Sequence, residues 1–132
     1  MDGQAIFDIS FQIICSSGEA RSMAMEAISL AKEGKIEEAR QMLADARTEI
    51  NKAHKHQTNL ITSEANGEKN EVSVLLIHSQ DHLMNGMTVL DMAGEFIDLY
   101  ERMKEKCIQE PLIQKSCLRG SYSLRGKLYV NF

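Results

Sequence analysis

An all-α bundle of three long helices is the fold this chain predicts, on three observations. Apolar residues recur at steps of three and four through three long segments. The chain has one proline and no tryptophan, and is rich in Ala, Leu, Glu, Lys and Met, residues that favour helix. Two polar, Gly-containing stretches, "EGK" at 33–35 and "EANGEKN" at 64–70, separate the segments.

The first segment runs from about Gln4 to Glu33. Ile6, Phe7, Phe11, Ile14, Met23, Ala24, Ala27, Ile28 and Ala31 recur along it at helical spacing. Gly18 interrupts the pattern, but the stripe resumes with little change of phase and no proline intervenes, so one helix is expected. Gly34 is placed to end it as the residue just beyond the C-cap. The second segment carries a heptad seam: Ile36, Ala39, Leu43, Ala46, Ile50, Ala53, Gln57 and Leu60. Such a seam suits near-parallel packing against neighbouring helices.

The third segment, from about Glu71 to Lys106, has two candidate faces. Leu76, Leu83, Leu90 and Ile97 repeat every seven residues on one side. His78, Asp81, His82, Asn85, Val89, Met92 and Phe96 follow steps of three and four on another. A three-helix bundle uses one face for its own core, so the second is expected to meet another copy of the chain, with Asp81 and Asn85 setting register. Residues 107–132 hold the only proline and show no helical stripe; "KLYVNF" has strand character without an obvious partner. The expected division is therefore a three-helix domain over 1–106 and a tail over 107–132.

Composition excludes several functions. With 132 residues there is room for one domain. The net charge of -4, with basic residues scattered among acids, offers no basic stripe for nucleic acid and no polybasic cluster for a membrane surface. No apolar run approaches the ~20 residues that span a bilayer, and no basic n-region marks a signal peptide. Cys15, Cys107 and Cys117 form no C-x-x-C pair and read as reduced thiols of a cytoplasmic protein.

The chemistry concentrates in "IHSQDHLM" (77–84). On a helix His78, Asp81 and His82 share a face. Three readings compete. The histidines could bridge polar groups within the fold. They could bind a metal, as i, i+4 histidines do in H-E-x-x-H helices. That motif's Glu is missing here, and a third ligand would have to come from His54 or His56. Or one histidine could carry a phosphoryl group, with its neighbour donating to the phosphate; Asp81 would then repel the anion unless a cation offset it. Gln57, polar at an otherwise apolar seam position, fixes register or reaches a shared site. Spacing alone does not separate these readings.

The combination "EARSMAMEAISLAKEGKIEEARQMLADARTEINKAHKHQTNLITSEANGE" and "LLIHSQDHLMNGMTVLDMAGEFIDLYER" resembles the enzyme IIA component of the lactose/cellobiose branch of the bacterial phosphotransferase system, over residues 4–105. The pairing of "AHKHQT" with "HSQDHLM" carries the resemblance; Ser79 stands where the family has Ala or Gly. The resemblance implies an antiparallel three-helix bundle assembled as a homotrimer. It implies that His78 takes a phosphoryl group from phospho-HPr and passes it to a cysteine of the IIB component, with His82 close by in support. It implies that Asp81 meets its two symmetry mates at the trimer axis around a divalent cation, with magnesium the expected ion. The tail from Cys107 has no counterpart in it. A disaccharide of the cellobiose or chitobiose type fits "LLIHSQDHLM" and "HQTNLI" better than lactose. A helical interaction module with a histidine metal site and no catalysis is the alternative.

Overall fold

Three helices make up the fold: α1 (Gly3–Lys32), α2 (Ile36–Ala65) and α3 (Val74–Gln109). The structure, a computed structural model, describes residues 2–109. The strand considered for "KLYVNF" lies outside those residues.

Each boundary has a local cause. Asp2 caps α1, its carboxylate accepting from the Ala5 N–H at 2.8 Å. Gly34 ends α1 with φ +83°; its N–H donates to Ala31 and that of Lys35 to Leu30, the paired bonds of a Schellman motif. Lys104 then donates to the Gly34 carbonyl at 2.9 Å, tying this turn to the far end of α3. Gly67, φ +89°, ends α2 with the same pair of bonds, to Glu64 and Ser63. The third helix begins later than its apolar pattern predicts, at Val74, because the Ser73 hydroxyl accepts from the Leu76 N–H and caps it there. It also outruns the expected boundary at Lys106 and continues through Cys107 to Gln109.

Cross-helix contacts give the directions. Arg40 pairs with Asp98 and Glu101, Arg47 with Asp91, and Gln57 with Gln80, so α2 ascends as α3 descends. Between α1 and α3 the numbers rise together instead: Ser17 lies by Gly86, and Gly34 by Lys104. The bundle is therefore antiparallel, with α1 and α3 running together and α2 against both.

The core corrects the reading of α1. Its buried stripe is Ile6, Ser10, Ile13, Ser17, Ala20, Ala24, Ala27 and Ala31, in strict steps of four and three. Phe7 and Phe11, read as part of the stripe, are 51% and 57% exposed. The two serines hid the true seam from a hydrophobicity pattern. Both hydroxyls are buried with no hydrogen-bond partner in the structure, which costs stability but keeps the helix surface thin. The helix runs through Gly18 without a break. Its small residues face the larger Leu43, Ile50, Leu83, Leu90 and Ile97, and Gly86 completes the fit. A Cβ on Gly86 would stand 2.9 Å from Ile50 Cδ1 and 3.4 Å from the Ser17 carbonyl oxygen.

Candidate functional site

His78 and His82 occupy the second and third turns of α3. With Ser73 as cap, His78 is the fifth helical residue, just past the first turn and two residues beyond the last N–H without an intrahelical partner, so the helix dipole reaches it weakly. The helical step brings the two rings together, as the spacing predicts. Their Nε2 atoms are 3.1 Å apart, with ring centroids at 4.5 Å and planes at 87°. A neutral imidazole offers one donor and one acceptor nitrogen. A hydrogen bond across this gap requires a proton on one Nε2 and a lone pair on the other, and the tautomers decide which is which. His78 is exposed and His82 half-buried, so His78 is open to an incoming molecule while its neighbour is held.

The intervening residues point elsewhere. Ser79 is fully buried on the core face, and its hydroxyl donates to the Leu76 carbonyl at 2.7 Å. Gln80 turns toward α2, where the Gln57 amide donates to its Oε1 at 2.7 Å; its own amide donates to Ser79 Oγ at 3.3 Å. Gln57 is thus tied to the residue between the histidines. Together with Leu60, Ile61, Glu64, Asn70, Val72 and Leu76, Gln57 and Gln80 line a groove of about 210 Å³ beside the α2–α3 turn. Gln80 and Ser79 are the positions that pattern reading passed over. The buried steps 79, 83, 86 and 90 are the signal that marks Ser79 as a core residue of α3.

His54 is exposed and His56 half-buried on α2. Neither completes a metal centre: among the described residues, no group of three or more His, Cys, Asp or Glu side chains could hold an ion. The three-ligand reading of the histidines, with His54 or His56 as third ligand, therefore fails within one chain.

Asp81 is exposed and points away from the core. So do Ile77, Met84, Met92, Leu99 and Met103, all more than half exposed, and Phe96 at 39%. The outward face of α3 is thus longer than the sequence pattern showed, reaching Met103. His82 and Val89, placed on that face by their spacing, are half-buried at its edge. Among the described residues, no helix is long and apolar enough to cross a membrane.

Comparisons with known proteins agree with the three-helix fold. The family described as "PTS system, Lactose/Cellobiose specific IIA subunit" matches residues 8–101. The lichenan-specific phosphotransferase enzyme IIA component of Bacillus subtilis is 58% identical over 98 residues, covering 74% of this chain and 89% of that protein. The crystal structure of the cellobiose-specific enzyme IIA from Bacillus anthracis superposes with a TM-score of 0.75 at 55% identity, covering 80% of this chain and 95% of the other. The chitobiose IIA of Escherichia coli, solved in complex with HPr, superposes with a TM-score of 0.66 at 37% identity, covering 75% and 96%. A bundle carrying a paired histidine site on its third helix, matched over most of its length, belongs to the lactose/cellobiose-specific IIA subunits of the phosphotransferase system, which act as phosphotransfer proteins.

Proposed function

We propose that this chain carries phosphoryl groups from phospho-HPr to a IIB cysteine, with His78 as the acceptor, in uptake of a cellobiose- or chitobiose-type disaccharide. The observation that supports this most is the exposed His78 ring with the His82 Nε2 3.1 Å from its own. The relatives of higher identity, named for lichenan and cellobiose, favour that sugar class.

In the transfer, a ring nitrogen lone pair of neutral His78 attacks phosphorus. The N–P bond to HPr breaks, and the departing imidazole keeps the electron pair. Charge spreads over the three phosphoryl oxygens, and a donor one turn away stabilises it. His82 supplies that donor when its Nε2 holds the proton. In the second step an incoming IIB thiolate displaces His78. Gln57 acts through Gln80, fixing the rotation of the first turns of α3 against α2. It touches neither histidine in this role.

The outward face of α3 favours a homotrimer of this chain. Three Asp81 carboxylates brought together would repel one another. A hard divalent cation accepts oxygen ligands and fills its remaining positions with water, so one carboxylate from each chain suits magnesium. When bound, such an ion supplies charge neutralisation at the interface. The expected setting is the cytoplasm, where HPr works. The test is labelling by phospho-HPr. His78→Gln is expected to assemble normally and take no label. His82→Gln is expected to be labelled but to hand phosphate on to IIB slowly. Full labelling of His78→Gln would sink the assignment.

A further inference from the structure

We propose that His78 and His82 form a two-point chelate for a divalent transition ion such as zinc, and that this ion and the phosphoryl group exclude each other. Zinc binds imidazole nitrogen at about 2.0–2.1 Å. With the two Nε2 atoms 3.1 Å apart, such bonds meet at an N–metal–N angle of about 100°, between square-planar and tetrahedral values. The rings already converge without a change of backbone, and His78 is open to solvent.

The protons balance without an added reagent. In the free pair one Nε2 carries a proton. Moving that proton to Nδ1 of the same ring leaves a lone pair on each Nε2, and small rotations of the two rings aim both at one ion while both imidazoles stay neutral. Neutral imidazole is the form that binds metal.

The site is built for an exchangeable ion. No third His, Cys, Asp or Glu among the described residues of the chain joins the pair. Within one chain the ion is therefore held by two protein bonds only, and the remaining positions are open to water. This separates it from the oxygen-coordinated cation expected at Asp81, because imidazole selects borderline transition ions and carboxylate selects magnesium. The same lone pair on His78 cannot bond to both a metal and phosphorus. A bound ion thus blocks the acceptor and ties up its helper, and phosphorylation removes one arm of the chelate. The chelate stands on the pair's geometry; its effect on transfer rests on the phosphoryl-carrier reading above.

The experiment uses the full chain, reduced and freed of metal, in a non-coordinating buffer at neutral pH. Zinc chloride is titrated in while long-range proton–nitrogen spectra report the ring nitrogens. Nε2 of His78 and of His82 are expected to shift together, with His54 and His56 unmoved. His78→Gln and His82→Gln should each weaken binding about a hundredfold, since each removes one arm of a chelate. Zinc at about ten times its dissociation constant should slow labelling of the wild type by phospho-HPr about tenfold. His82→Gln, compared with its own zinc-free rate, should be unaffected, which also controls for zinc acting on HPr. Zinc taken up at cysteines or at His54 and His56, with the pair unmoved, would overturn the chelate. Zinc on the pair with wild-type labelling undiminished would overturn the mutual exclusion. A zinc-free protein that takes no label refutes the carrier reading instead, and leaves the spectra to decide the chelate.

Discussion

At the scale of single residues, the hydrogen bond from Gln57 to Gln80 is the contact with a measurable coupling. Both side chains are half-buried, so removing one partner leaves the other poorly solvated. Gln57→Leu is expected to cost about 1 kcal/mol of stability in urea unfolding. The double change Gln57→Leu with Gln80→Leu should cost less than the sum, with a coupling of about 0.5–1.5 kcal/mol. Strict additivity would remove Gln57 from its positioning role. A second residue-scale expectation concerns pH. Lys52 donates to Glu49 and holds its carboxyl below the usual carboxylate range, with a smaller contribution from Ser16 of α1. A carboxylate depressed in the folded state stabilises above its unfolded value and loses that contribution as pH falls through the folded one. Glu49→Gln should therefore lower the urea midpoint slightly at neutral pH. The difference should vanish in acid, below the folded value; a difference that persists there would mean the ion pair is not its source.

At the scale of elements, the two turns depend on glycines with positive φ. Gly34 at +83° is the clearer case, because its carbonyl also receives Lys104. Gly34→Ala is expected to cost about 1–2 kcal/mol in thermal or urea unfolding, the penalty of a Cβ in the left-handed region. A neutral result would mean the turn relaxes into another form. This turn was legible in the sequence because a glycine stood beyond a helical stripe. The seam of α2 was equally legible, since Ile36, Ala39, Leu43, Ala46, Ile50, Ala53 and Leu60 are all buried as spaced. The seam of α1 was not. Where Ser10 and Ser17 face the core, hydrophobicity points to Phe7 and Phe11 on the next stripe, and only packing against Gly86 shows why small residues win. The site divides in the same way. The i, i+4 step brought His78 and His82 together on paper. The Gln57–Gln80 bond spans two helices, and its rotamers had no sequence signature.

At the scale of the whole molecule, the outward face of α3 is apolar surface that the bundle's own core does not cover. Met84, Met92, Phe96, Leu99 and Met103 line one side of a single helix, and exposed apolar surface arranged in a stripe favours burial against another chain. Asp81 sits at the histidine end of that stripe. In a monomer its carboxylate is solvated at no cost. In the proposed trimer it would face two others, and a cation would offset their repulsion. Replacing charges that become buried by apolar groups is often neutral or stabilising. Asp81→Leu is therefore expected to sediment as a trimer at least as stable as wild type, and to be indifferent to chelator. Wild type should lose trimer or melt earlier when chelator is added and recover with magnesium. The chain ending at Gln109 should behave like the full chain in both respects, because the stripe ends at Met103. Sedimentation of the wild type as a monomer at all concentrations, with no response to chelator, would reject both the trimer and the ion. It would leave the exposed stripe of α3 to be explained by a different partner.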